Sequence, residues 1–270
     1  MNKSIAIALL GLLGASAFAA GPTSTLYAMN YGEFSGGAVV GLDLIQGLAE
    51  SSFATGNNID ICIAVSGDVR TMGYGATTSG SRFNLAGGPL SGGPYTNNIV
   101  NSQLHDGTTD GKFNYSVNFT TGDVLEFDRN WATPVVLFNV SGSLPGAGWI
   151  TMNPTDGSFW LSQWGGPDVV HHVSHTGTLL GSFNSGVSNC AGLALDPADG
   201  TLWMGDWANP FTLHQFSQAG ALLQSSSYTL SGAWYGMEFE LAPAPEPASV
   251  MLIGIGAVAL MRRRRRISTP

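Results

Sequence analysis

From about residue 22 to residue 242 the chain alternates short apolar runs with clusters of Gly, Ser, Asn, Asp and Thr. That rhythm belongs to strands joined by turns, because Gly and Asn favour turn conformations and β-branched and aromatic residues favour pleated, half-buried backbone. The pattern also repeats. NPTDGSFWLSQWGGP at 153–167 and DPADGTLWMGDWANP at 196–210 align residue for residue, and each is followed by a strand-like run and a Ser-x-x-Gly turn. Asp156 and Ser174 are separated as Asp199 and Ser217 are, and an earlier segment, TDGKFNYSVNFTTGDVLEFDRN, keeps the spacing from Asp110 to Asp128. Looser copies lie at STLYAMNY (24–31) and GDVRTMGY (67–74).

The copies begin at 24, 67, 111, 157 and 200, a period of 43 to 46 residues. That length suits one four-stranded blade of a β-propeller. Apolar runs that read as inner strands precede four copies: Ile59–Val65, Ile99–Leu104, Trp149–Met152 and Ala191–Leu195. A fifth, Trp234 to Leu241, follows the last copy and has no repeat after it. A ring resolves this, with the last strand completing the first blade and removing the open sheet edges. The expected fold is all-β: a five-bladed propeller over residues 20–242, closed by its C-terminal strand. A blade degenerate beyond recognition would make it six. The Gly- and Pro-rich stretch from Ser79 to Asn98 is the least assignable part.

The ends have a different character. Residues 1–19 place Lys3 before an apolar run from Ile5 to Leu13 and then small residues, with Ala17-Phe18-Ala19 as the cleavage pattern and Ala15-Ser16-Ala17 as an alternative. This three-part order is that of a signal peptide, with Ala17 and Ala19 at the cleavage site for signal peptidase. At the other end Pro243, Pro245 and Pro247 prevent regular structure, making 243–247 an extended spacer. Residues 248–261 carry no charge and can form an apolar transmembrane helix of about 21 Å. That is short for a hydrocarbon core of ~30 Å, but arginine side chains snorkel and bilayers thin. Arg262, Arg263, Arg264, Arg265 and Arg266 open the cytoplasmic tail 262–270 and act as a stop-transfer cluster under the positive-inside rule.

Pro245-Glu246-Pro247, the apolar helix and the arginine cluster, in that order behind an N-terminal signal peptide, resemble the PEP-CTERM sorting signal. The resemblance implies an exosortase substrate of a Gram-negative bacterium that makes extracellular polysaccharide, with Pro245, Glu246 and Pro247 as the recognition residues. It implies export through an inner-membrane intermediate to the cell surface or beyond. A plain C-terminal anchor is the competing reading. The resemblance covers only the last 25 residues or so.

Charge separates the tail from the rest. Between Lys3 and the arginine run the basic residues are Arg70, Arg82, Lys112 and Arg129, against all 18 acidic ones. Such an acidic domain repels phosphate backbones, so nucleic acid is not an expected partner. Cys62 and Cys190 each lie in an apolar run. They are either two buried thiols or, in an exported protein, one disulfide.

Candidate chemistry is sparse. His171, His172 and His175 form the one histidine cluster, but neighbouring strand residues point to opposite faces, and His214 repeats the position of His171. No metal site or cofactor is expected. Asp110, Asp156 and Asp199 recur at turn positions, where Asp bonds its own backbone. Asp123, Glu126 and Asp128 lack the Gly and Glu of a calcium loop. Glu238 and Glu240 alternate along the closing strand and could face the central channel. No nucleophile elbow, zinc motif or phosphate loop accompanies them, so no catalytic residue is expected. Tyr31, Tyr74, Trp164 and Trp207 fall at one equivalent position of the repeat, and Tyr27, Trp160 and Trp203 at another. Both sets suit packing between blades, and the first also suits ligand stacking, one shallow sugar site per blade. The expected function is that of a surface or matrix binding module, with extracellular polysaccharide as the ligand that the PEP-CTERM resemblance implies. The alternative is a propeller hydrolase or lactonase using channel carboxylates and a divalent ion.

Overall fold

A computed structural model describes residues 25–31, 37–44, 48–56, 60–74, 78–93, 95–97, 103–165, 169–209, 211–229 and 232–241. The signal-peptide segment, the proline-rich spacer, the apolar segment 248–261 and the arginine tail lie outside these residues. Among the described residues no helix is long and apolar enough to cross a membrane.

Among the described residues twenty-one strands form five blades around one axis. The fourth blade shows the plan: β13 (Ala147–Met152), β14 (Phe159–Gln163), β15 (Val169–Val173) and β16 (Leu179–Asn184) pair in that order, all antiparallel. The fifth repeats it with β17 (Cys190–Leu195), β18 (Leu202–Asp206), β19 (Thr212–Phe216) and β20 (Leu222–Ser227). The third has β9 (Thr108–Thr109), β10 (Asn114–Val117), β11 (Asp123–Phe127) and β12 (Val135–Asn139). In the first blade, β1 (Leu26–Tyr31), β2 (Gly37–Asp43) and β3 (Leu48–Ala54) are joined by β21 (Ala233–Phe239), which takes the inner position. Leu26 pairs with Phe239 and Tyr31 with Ala233, so the last strand closes the ring as the spare apolar run predicted.

The second blade is irregular. β4 (Asp60–Val65) and β5 (Val69–Gly73) are regular, but the third strand is split into β6 (Thr78–Gly80) and β7 (Arg82–Phe83), and β8 (Tyr95–Asn97) pairs with β6. The Tyr95 hydroxyl bridges the break, donating to the carbonyls of Thr71 at 2.7 Å and Ser81 at 3.0 Å. The inner strands β4, β9, β13, β17 and β21 touch one another in sequence and back to the start, which fixes the count at five blades.

Four of the five inner strands are largely apolar because both faces of a blade are covered by its neighbours, and the third, Thr108–Thr109, is polar. Every residue of β4, β13 and β17 is buried. The core lies between blades, in clusters such as Tyr115, Ile150, Phe159 and Leu161 between the third and fourth. Neighbouring blades also meet at a repeated contact: a side chain at Gly177 would come within 2.7 Å of the Phe138 ring, and one at Gly220 within 2.5 Å of Phe183. Both glycines have positive φ, so the turn needs glycine for conformation and for space.

One sequence expectation needs correction, while the plainer reading of the cysteines holds. The inner strand of the third blade is not Ile99–Leu104. Residues 98–102 lie outside the described set, Leu104 makes a single bridge to Asn118, and the strand itself is Thr108–Thr109. The chain departs from the ladder between them to carry Asp106 to the axis. The cysteines are two free, buried thiols. Cys62 Sγ donates to the Asp106 carbonyl at 2.9 Å, and the Ser162 hydroxyl donates to Cys190 Sγ at 3.1 Å.

Candidate functional site: an aromatic mouth over a plugged axis

The turn carboxylates act as the repeat predicted. Asp156 Oδ1 accepts the Ser158 amide at 2.9 Å and Asp199 Oδ1 the Thr201 amide at 2.8 Å, while Asp110 Oδ1 accepts the amides of Lys112 and Phe113. The third turn holds one residue more than the other two. The sequence register therefore assigns Asn118 to the aromatic position, whereas the backbone assigns Phe119. The amide of Phe119 donates to the Gln103 carbonyl as those of Trp164 and Trp207 donate to Gly146 and Asn189. In all five blades an aromatic residue thus stands at the end of the second strand or one or two residues past it: Tyr31, Tyr74, Phe119, Trp164 and Trp207. Each stands one residue beyond a matched pairing: Asn30 with Trp234, Gly73 with Asp60, Asn118 with Leu104, Gln163 with Ala147 and Asp206 with Cys190.

The residue after each of those inner-strand partners sits at the channel mouth: Tyr235, Ile61, His105, Gly148 and Ala191. Register shifts follow these positions in β21, β4, β13 and β17. Large side chains come from the first three blades and small ones from the fourth and fifth, and this asymmetry shapes the mouth. A continuous aromatic arc runs round it. Tyr31 meets Tyr235 at 5.8 Å between ring centroids, Tyr235 meets Trp207 at 5.4 Å, and Trp207 meets Trp164 at 5.1 Å. Trp164 then meets Trp149 at 6.1 Å, Trp149 meets His105 at 5.6 Å, and His105 meets Tyr74 at 5.2 Å.

Between the ends of the arc lies a pocket of about 330 Å³ lined by Tyr31, Ile61, Tyr74, His105 and Tyr235. Tyr31 is 46% exposed and Tyr74 36%. Of the four aromatic residues singled out in the sequence, Tyr31 and Tyr74 reach this pocket. Trp164 and Trp207 are partly buried, pack against the core and do not line the pocket. The arrangement is one pocket shared by three blades, not one shallow site on each. The other aromatic set, Tyr27, Trp160 and Trp203, is buried and serves packing.

Beneath the pocket the axis is closed by a residue the sequence reading missed. Asp106 follows His105 and is fully buried. Its Oδ1 accepts the amides of Gly107 at 2.8 Å and Met237 at 3.0 Å, and its Oδ2 those of Leu193 at 3.1 Å and Ile150 at 3.2 Å. Ile150, Leu193 and Met237 occupy equivalent places on β13, β17 and β21, so one carboxylate collects amides from three neighbouring blades and its own. Burial pushes the Asp106 carboxyl up, and the four amides pull the other way. A side chain at Gly236 would come within 2.8 Å of Oδ1, so glycine is required for this approach.

One layer further in, Glu238 Oε1 accepts the Thr108 hydroxyl at 2.8 Å. Thr108 Oγ1 in turn accepts the Met152 amide at 3.1 Å, and Thr151 Oγ1 accepts the Leu195 amide at 3.0 Å. Burial pushes the Glu238 carboxyl well up, with the Thr108 hydrogen bond opposing it. Glu238 faces the axis as expected, but its partner there is Asp106; Glu240 lies beyond the end of β21.

The remaining polar clusters are structural. Asp68 gathers Arg70 and Arg129 at 2.9 Å each, and also Arg82. Burial pushes its carboxyl up, but hydrogen bonds from Arg70 and Arg82 outweigh this and hold it below the usual range. Three of the four basic residues of the middle region are thus spent on one carboxylate between the second and third blades. His172 stacks on Trp160 with centroids 4.0 Å apart, and His171 pairs across the ladder with Ser182 as His214 does with Ser225. Among the described residues no group of His, Cys, Asp and Glu could hold a metal ion.

Comparison with known proteins adds to this geometry. No curated protein matches the sequence. One chain in the crystal structure of a nidogen/laminin complex is similar with a TM-score of 0.54 at 14% identity, over 82% of this chain and 100% of that one. At that identity the likeness concerns the fold alone. A chain of the mitotic checkpoint complex gives 0.45 at 13% identity, over 75% of this chain and 63% of that one, too low to argue from. Residues 243–266 match the model of the PEP-CTERM protein-sorting motif. The chain therefore carries an exosortase sorting signal behind a five-bladed propeller, and that signal implies export through a membrane-anchored intermediate.

Proposed function

We propose that the propeller is a binding module that engages extracellular polysaccharide through its aromatic mouth once the sorting signal has delivered the chain to the cell surface or matrix. The observation that carries this reading is the open pocket at the channel mouth, lined by Tyr31, Tyr74 and Tyr235 and continued by an arc of aromatic rings through Trp207, Trp164 and Trp149 to His105. Aromatic faces suit sugar rings, whose C–H faces are apolar and whose rims carry hydroxyls, and Tyr adds a polar handle to an apolar body. The axial carboxylates favour binding over hydrolysis. Both are buried and neither lines the pocket, and Asp106 is committed to four backbone amides, so neither is placed to act on a bound sugar as acid or base. Pro245, Glu246 and Pro247 serve as the recognition residues of the sorting signal, Arg262 to Arg266 as its stop-transfer cluster, and Ala17 and Ala19 as the signal peptidase site.

The test uses the full chain in a detergent without a sugar headgroup and the extracellular polysaccharide of its native host, immobilised. Wild type should be retained, and Tyr31→Ala with Tyr74→Ala should weaken retention about tenfold or more, since each ring contributes on the order of 1 kcal/mol. No retention of wild type, or equal retention of the double variant, overturns the reading.

A further inference from the structure

We propose that the pocket takes a single uncharged, hydroxyl-bearing ring at the end of a polysaccharide chain, stacked among Tyr31, Tyr74 and Tyr235 and hydrogen-bonded by the Nε2–H of His105. This rests on the polysaccharide-binding reading and narrows it to one kind of sugar unit and one kind of position in the chain.

Three features select a chain end. The pocket floor is blind, because Asp106 directly beneath it is stitched to four amides and no strand of ligand can pass along the axis. The volume of about 330 Å³ stands at the small end of ligand sites, which run from roughly 300 to 1,000 Å³. The lining comes from three blades, with Tyr31 and Tyr235 from the first, Ile61 and Tyr74 from the second and His105 from the third. A polymer crossing the mouth would touch the rim, whereas a terminal ring can enter.

The lining selects an uncharged unit. Among the described residues no Asp, Glu, Lys or Arg contributes to it. A uronate or an amino sugar would lose its hydration there without a counter-charge, which is costly. His105 does not supply one, because burial pushes its pKa down to about 4 and keeps it neutral at ordinary pH.

His105 supplies the polar contact instead. Its ring is clamped against Phe119, with centroids 4.8 Å apart and planes 16° from parallel. Nδ1 is sealed from solvent without a hydrogen-bond partner and faces Gly148, where an added side chain would stand 3.5 Å away. A buried N–H without an acceptor is rarer than a buried acceptor without a donor. The proton therefore sits on Nε2, the nitrogen that is not sealed, and the neutral ring offers one N–H donor to a ligand hydroxyl.

The test needs no knowledge of the sugar. Binding of the full chain to immobilised host polysaccharide is competed by the same polysaccharide at equal mass, intact or shortened by partial acid hydrolysis. Chains cut tenfold shorter carry about tenfold more ends and should compete about tenfold better. Equal or weaker competition overturns the chain-end proposal while leaving polysaccharide binding intact; absence of binding by wild type defeats the earlier reading itself. His105→Phe keeps the stacked ring and removes the donor. It should weaken binding roughly tenfold, the worth of about one hydrogen bond, with the unfolding temperature retained. Unchanged affinity overturns the role of His105.

Discussion

Asp196 and Asn153 hold the same corner of the fifth and fourth blades. Each accepts an amide two residues on, that of Ala198 at 2.8 Å and that of Thr155 at 3.0 Å. Asp196 is buried, its second oxygen has no partner, and burial followed by the amide bond and the nearby Asp199 charge leaves its pKa at about 6. A raised folded pKa favours the folded state while the group stays protonated, so this contribution is full below about pH 4 and is lost as pH rises through 6. The loss is at most about 3 kcal/mol. Asp196→Asn, which copies the fourth blade, should flatten the fall in stability between pH 4 and 6 in urea unfolding. A wild-type slope that survives the substitution would refute the assignment. At this scale the turn acids Asp110, Asp156 and Asp199 were legible because a residue that bonds its own backbone needs no distant partner. His105 gave no local signal, since its properties come from rings on other strands.

The inner strands are where Asp106 acts. Their bulges turn amides of Ile150, Leu193 and Met237 towards the axis, where buried donors need an acceptor, and Asp106 provides two oxygens that each take two. Asp106→Asn replaces one oxygen with an NH₂ group facing two donors. The variant should lose about 3 kcal/mol or more, read as a lower denaturant midpoint with an unchanged slope; a loss below about 1 kcal/mol would show that the carboxylate does not tie the strands. Four of the five inner strands were readable as apolar runs because both their faces are covered. The third was misplaced because its defining residues, Asp106, Thr108 and Thr109, are polar and are satisfied by other blades. The aromatic series lost Phe119 for a simpler reason: the longer turn at Lys112 shifts the register by one, and only the ladder restores it.

For the molecule as a whole, the closing strand and the sorting tail are neighbours in sequence, β21 ending at Phe239 and the motif beginning at residue 243. The ring closes through β21 among the described residues, so disabling the tail should leave the propeller intact and change only its destination. Pro245→Ala, Glu246→Ala and Pro247→Ala together should hold the full-length chain in the inner membrane of the native host, while wild type loses its arginine tail, as intact mass and fractionation would show. Equal processing of both chains would remove those three residues from recognition. The sequence by itself determined the blade period, the closing strand, the repeated turns and the tail, because each is written in local order: a period, an alternation, or a motif read as linear peptide. The ring of inner-strand contacts settled five blades over six. Tertiary structure alone decided that Asp106 plugs the axis, that the cysteines stay apart, and that Tyr31, Tyr74, His105 and Tyr235 share one pocket. Those facts depend on residues far apart in the chain being carried round a ring to a common mouth. Which side chains converge there is set by bulges and one-residue register shifts that the pattern of apolar positions does not record.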